Sequence, residues 1–143
     1  MKIKGCLSRQ SDEWETPQKV FDELNDEFNF TLDPCATEEN HKCKKFYTKE
    51  DDGLSKDWGG QRVFCNPPYS KIAKWVEKAY RESRTDHTVI VLLIPSRTET
   101  KYFHDFILHR SEVRFIKGRL RFSGSDENAP FPSMIVIFRG AYA

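Results

Sequence analysis

Three features of this 143-residue chain predict an α/β domain. Residues 88–94 and 134–138 are apolar runs rich in β-branched side chains, the pattern of strands buried on both faces. Between residues 70 and 80, Ile72, Trp75, Val76, Ala79 and Tyr80 recur at helical spacing and mark one apolar face. A third apolar stretch, Val63-Phe64-Cys65, runs straight into that helix. Strand, helix and strand in that order make the two strands parallel, so their carboxyl ends meet at one sheet edge. The length suits one domain with one core.

The junction between the first of these strands and the helix reads Asn66-Pro67-Pro68-Tyr69. Tandem prolines fix the backbone, push each preceding residue toward extended geometry and remove two N–H donors, so the strand stops with exposed carbonyls. Asn66 adds a side-chain carbonyl, and Tyr69 adds a flat ring with a polar tip. This acceptor cluster suits the exocyclic amino group of a base, which is a poor nucleophile because its lone pair is delocalised into the ring. If the Asn66 side chain and the Pro67 carbonyl each take one of the amine's protons, the nitrogen pyramidalises and its lone pair turns toward an electrophile. Tyr69 would stack on the extruded base. A strand terminator built from two prolines is the plainer account of the same four residues.

In chain order, residues 1–13 show no periodicity and read as a flexible arm before a single domain over 14–143. Thr16 is a candidate N-cap and Pro17 a suitable first helical residue for a helix over 17–28, with Val20, Phe21, Leu24 and Phe28 on one face. Residues 30–36 alternate as a strand broken by Asp33-Pro34. An aspartate at a strand's carboxyl end lies where α/β folds bind ligands, and an Asp-Pro turn explains the same pair. Residues 37–58 are polar and irregular. Cys35, His41 and Cys43 fall close together but lack paired Cys-x-x-Cys spacing and a fourth ligand, so no metal is expected. Asp51, Asp52 and Asp57 offer carboxylates to a ribose or an adenine amine, or serve as turn residues.

Beyond the corner, Ser70 is the expected cap of the 70–80 helix, and strand 88–94 ends at Pro95-Ser96-Arg97-Thr98. Tyr102, Phe103, Phe106 and Ile107 predict another helix, begun by Thr98 or Thr100. Residues 113–116 and 120–122 alternate around Gly118, with Arg114, Lys117, Arg119 and Arg121 interleaved. This basic β segment is either a phosphate-contact surface or a charged guard on a sheet edge. A turn-rich loop over 123–132 leads to the closing strand at 134–138.

Hydrophobic residues make up 38% of the chain and charged residues 31%, and no apolar run approaches the roughly 20 residues of a membrane span. The start carries no signal-like apolar region, so a cytoplasmic protein with its four cysteines reduced is expected. The net charge of +1 hides an asymmetry: acidic residues outnumber basic ones fourteen to nine up to residue 61, and basic outnumber acidic fourteen to eight thereafter. The second part is the face expected to meet an anionic polymer.

Asn66-Pro67-Pro68-Tyr69 resembles the motif of DNA adenine amino-methyltransferases. Trp14-Glu15-Thr16-Pro17, Leu32-Asp33-Pro34-Cys35-Ala36, Leu93-Ile94-Pro95-Ser96-Arg97-Thr98, Phe115-Ile116-Lys117-Gly118-Arg119-Leu120-Arg121-Phe122 and Ala129-Pro130-Phe131-Pro132-Ser133-Met134 are similar to successive blocks of the bacteriophage-type DNA N-6-adenine methyltransferases. The similarity covers most of residues 14–139. It implies a Rossmann-like S-adenosylmethionine-dependent methyltransferase fold, with a mostly parallel sheet flanked by helices and a C-terminal antiparallel hairpin. It also implies S-adenosylmethionine as methyl donor, double-stranded DNA as partner, and methylation at N6 of a flipped adenine, in the host cytoplasm if the protein is phage-encoded.

On this reading Asn66, Pro67, Pro68 and Tyr69 are the catalytic candidates, and Trp14, Thr16, Pro17, Asp33, Cys35 and Asp52 the cofactor-binding ones, with Asp33 near the cofactor's cationic amine. Arg97, Lys117, Arg119 and Arg121 are the candidates for nucleic acid. The sequence departs from the family in one respect: the first cofactor motif is usually glycine-rich, and here no glycine lies between Asp33 and Gly53. Too little chain separates Asp33 from Asn66, or follows Phe138, for a target-recognition domain. Base sequence is then read by loops, or through a homodimer or a protein partner. Two other functions share these residues: a module that holds a base and transfers nothing, and amino-methylation of cytosine, RNA or a glutamine side chain.

Overall fold

The computed structural model describes residues 14–143, and the arm read over 1–13 lies outside the described residues. Helix α1 (Gln18–Phe28) is followed by strand β1 (Arg62–Cys65), helix α2 (Ile72–Glu82) and strand β2 (Val89–Pro95). Strands β3 (Glu112–Phe115) and β4 (Ser133–Arg139) complete a four-stranded sheet in the order β1-β2-β4-β3. β1 and β2 are parallel, with Val63 opposite Ile90 and Cys65 opposite Leu92, as the α2 crossover requires. β4 is antiparallel to β2 and to β3.

The sheet is therefore mixed, and the mostly parallel arrangement is present only in part. One ladder is parallel, and beyond β1 the parallel side continues as isolated bridges from Leu32 to Val63 and from Asp33 to Phe46. The strand expected to end at Asp33 is reduced to these isolated bridges, and Pro34, lacking an N–H, follows where they stop.

All seven residues of β2 are buried, and its side chains alternate between two cores. Ile90, Leu92 and Ile94 join Trp75, Val76 and Ala79 of α2 on one face. Val89, Val91 and Leu93 join Phe21, Leu24 and Phe28 of α1 on the other. The result is helix, sheet and helix in three layers, with the carboxyl ends of β1 and β2 open at one edge.

Four local expectations change. α1 begins at Gln18 with Pro17 at its N-cap position, and no side chain caps it, so Thr16 is not the cap. A 3-10 turn, Tyr69–Lys71, precedes α2, and Lys71 rather than Ser70 takes the N-cap position. The helix after β2 is a short π-helical turn, Phe103–Ile107, closed by the Leu108 N–H on the Phe103 carbonyl at 2.8 Å. Residues 120–122 form no strand. Phe122 is buried in the α1-side core, and this pulls the segment away from the sheet edge that β3 occupies.

Candidate active site

β1 delivers its last residues to the open edge, where the corner follows. The Pro68 carbonyl accepts the Lys71 N–H at 3.0 Å, while the Pro67 carbonyl has no hydrogen-bond partner among the described residues. The Asn66 side chain is fixed from a distance. Its Nδ2 donates to the Trp14 carbonyl and to Thr16 Oγ1, the latter at 2.9 Å, and its Oδ1 is buried without a partner among the described residues. An unmatched buried acceptor costs about 1–3 kcal/mol, so the arrangement calls for a donor that the described residues do not provide.

Two cavities flank this corner. A cleft of about 550 Å³ is lined by Thr16, Asp33, Cys35, Asp52, Gly53 and Asn66, among others. A second cavity of about 450 Å³ is lined by Tyr69, Pro95, Arg97, Tyr102 and Phe131. Trp14 lines both. Its indole is stacked with Tyr69 at 6.4 Å between centroids and 20° between planes, and its edge meets Phe122 and Phe131. Consecutive residues of one corner thus face different spaces: Asn66 and Pro68 the first, Tyr69 and Ser70 the second.

The residues singled out in the sequence are brought together in large part. Trp14, Thr16, Asp33, Cys35 and Asp52 line the first cleft, whereas Pro17 does not, its carbonyl opening α1 by accepting the Phe21 N–H at 3.2 Å. Arg97 stands exposed at the second cavity. Lys117, Arg119 and Arg121 line neither space. They are exposed on the 116–132 connection and enter no ion pair among the described residues. Arg114, from the same basic segment, is committed elsewhere: it binds Glu27 through two bonds of 2.7 and 2.8 Å and also pairs with Glu112.

Asp33 is the buried charge of the first cleft. Its carboxylate accepts the Lys42 N–H at 2.9 Å and the Cys35 N–H at 3.3 Å. Burial nevertheless outweighs these bonds and pushes its pKa above the usual carboxylate range. The neighbouring aspartates divide the two roles open to them. Asp51 closes a turn on the Thr48 N–H and hydroxyl, which lower its pKa, while Asp52, in the left-handed region at φ 60°, lines the cleft.

No group of His, Cys, Asp or Glu among the described residues is gathered for a metal ion. His41 stacks on Phe46 at 3.9 Å, and its Nδ1 is paired with the Cys43 carbonyl. Burial pushes the Cys43 thiol up to about 12, the reverse of a ligating thiolate. No helix of the described residues is long and apolar enough to cross a membrane.

Two features escaped the sequence. Gly53 folds back against Pro34 beside the cleft, so a glycine does reach the Asp33 region, from twenty residues downstream of Asp33. Thr16 holds Asn66 instead of capping a helix. The only local signal for the first was an Asp-Gly step in a polar segment, and the second had none.

An acceptor without a partner among the described residues thus stands at the carboxyl end of a parallel strand with a cavity to either side, the place where α/β folds bind ligands. The chain belongs to the DNA N-6-adenine-methyltransferase (Dam) family, whose family model matches residues 5–142. It is 35% identical over 147 residues to the DNA N-6-adenine-methyltransferase of Haemophilus phage HP1, covering 96% of this chain and 84% of that protein. It is 34% identical over 111 residues to the DNA N-6-adenine-methyltransferase of Escherichia phage T1, covering 76% of this chain and 46% of that protein.

Proposed function

We propose that this protein transfers a methyl group from S-adenosylmethionine to N6 of an adenine extruded from double-stranded DNA, on a Rossmann-like methyltransferase fold. The observation that carries the reading is the buried Asn66 Oδ1, which like the Pro67 carbonyl beside it is an acceptor without a partner among the described residues. Together they suit an amine with two protons to donate. Bound S-adenosylmethionine supplies an electrophilic methyl on a sulfonium. Asn66 and Pro67 draw the amine's protons away from its lone pair, Pro68 fixes the turn, and Tyr69 presents its ring to the base.

The first cleft lies within the range of small-molecule pockets, roughly 300–1,000 Å³, and carries the groups this cofactor needs. The buried Asp33 carboxylate suits the cationic amine, Asp52 suits ribose hydroxyls, and Trp14, Thr16 and Cys35 form the walls. Pro17 supports this wall from the start of α1. The second cavity, with Tyr69 and Phe131, suits the base. Arg97 at its mouth and Lys117, Arg119 and Arg121 on the adjoining connection suit DNA phosphates. The parallel bridges of Leu32 and Asp33 beside β1 support the Rossmann-like reading. A module that holds a base without transfer accounts poorly for a buried carboxylate in a separate cleft.

The test is incubation with labelled S-adenosylmethionine and DNA, followed by nucleoside analysis. N6-methyldeoxyadenosine is expected, and label in deoxycytidine alone, or in no nucleoside, overturns the proposal. Asn66→Ala should lower kcat by about a hundredfold or more, with cofactor affinity and melting temperature close to wild type.

A further inference from the structure

The two ends of an asparagine amide are nearly equal in size, and a half-turn about its last torsion exchanges acceptor for donor. Presented the wrong way, Asn66 would point N–H groups at an amine, donor against donor. Something must hold it the right way round. The Trp14 carbonyl can only accept, so Nδ2 must face it, and Thr16 Oγ1 takes a second Nδ2 bond at 2.9 Å. With both partners on the Nδ2 side, Oδ1 is turned away from them and left without a partner among the described residues.

We propose that Thr16, with the Trp14 carbonyl, is the positioning device that keeps Asn66 Oδ1 directed at the target amine. This inference rests on the reading of Asn66 given above. Thr16 is 3% exposed and caps no helix, so its hydroxyl is not spent on α1. The segment that carries it is itself tied down. Glu15 forms an antiparallel bridge with Ser123, whose N–H reaches the Glu15 carbonyl at 3.0 Å and whose hydroxyl reaches the Thr16 carbonyl at 3.4 Å. The connection bearing Lys117, Arg119 and Arg121 thus anchors the strap that orients the amide. Thr16 also lines the first cleft, and a pure cofactor ligand would act on cofactor affinity, whereas a positioning residue acts on turnover.

Thr16→Val keeps the shape and removes the acceptor, and Thr16→Ser keeps the acceptor. For Thr16→Val, kcat is expected to fall roughly ten- to a hundredfold, the scale of a misplaced reacting group. Cofactor affinity by calorimetry and melting temperature should stay near wild type, and Thr16→Ser should restore most of the turnover. In 15N-labelled protein without substrate, the Asn66 side-chain amide resonances, assigned by their loss in Asn66→Ala, should move in Thr16→Val and remain in Thr16→Ser. If valine prevents folding, Thr16→Ala is measured under the same expectations. Wild-type turnover in the folded variant, a loss confined to cofactor affinity, or unmoved Asn66 resonances each overturn the inference. Asn66→Ala, assayed in parallel, separates the two levels: an active Asn66→Ala defeats the reading of Asn66, whereas an inactive Asn66→Ala beside a fully active Thr16→Val defeats only the role of Thr16.

Discussion

A Cβ placed on Gly53 would stand 2.1 Å from the Pro34 carbonyl oxygen, closer than any real side chain tolerates. Glycine at this point lets the turn after Asp52 close on the residue that follows Asp33, and both aspartates line the first cleft. Gly53→Ala is expected to displace Pro34, lowering stability by about 1–3 kcal/mol and weakening S-adenosylmethionine binding. Thermal melts and calorimetry on one preparation check both effects. A normal melt with normal affinity would show that Pro34 moves without consequence.

Asp33 should give cofactor binding a pH dependence. Its folded pKa is raised by burial, so the stability that its protonated form contributes is complete below the ordinary carboxylate value and is lost as pH rises through the raised one. At neutral pH the charge is thus a cost to the empty fold that a cationic ligand offsets. Affinity for S-adenosylmethionine should fall as pH is lowered through the raised pKa. Asp33→Asn should bind about 1–3 kcal/mol more weakly at neutral pH, with a flatter profile. Calorimetry across acidic to neutral pH decides it, and an unchanged affinity would move the cofactor's amine elsewhere.

Tyr69 should matter through its ring and not its hydroxyl. The phenol oxygen is buried without a partner among the described residues, and burial raises its pKa, so it stays neutral. Tyr69→Phe removes an unmatched polar atom and should keep most activity with an equal or higher melting temperature. Tyr69→Ala should weaken substrate binding by roughly 1–3 kcal/mol, the worth of one stacked base. Steady-state kinetics with DNA as the varied substrate separates the two, and an inactive Tyr69→Phe would assign the hydroxyl a role.

The basic segment should split into two behaviours. Replacing Lys117 and Arg119 by alanine should weaken binding to all DNA sequences alike and reduce the salt slope by roughly two. Arg114→Ala should leave that slope alone, because Arg114 is held by Glu27 and Glu112, the latter also pairing with Arg139. These groups are more than a third exposed, so the loss of stability should stay within about 1 kcal/mol. Binding titrations at several salt concentrations give the slopes, and an equal drop for Arg114→Ala would return it to the DNA surface.

The sequence by itself determined what depends on neighbours in the chain. Helical spacing in 70–80, the buried runs that became β2 and β4, and the strand-helix-strand order each arise from side-chain hydrophobicity read over a few residues. The Asn66-Pro67-Pro68-Tyr69 corner was legible for the same reason, since tandem prolines stop a strand wherever they stand. Tertiary structure decided whatever joins distant segments. Thr16 looked like a cap because a hydroxyl just before a proline and an apolar helical face usually serves as one, yet Asn66, fifty residues away, takes its bond. Gly53 gained its meaning only when folded onto Pro34, and Phe122 left the expected strand because the core beside α1 was open to it. Arg114 and Arg119 read alike in sequence, but only Arg114 lies on β3 within reach of Glu27. A hydrogen bond or ion pair is short-ranged in space and indifferent to separation along the chain, so these partners emerge only once the layers have packed.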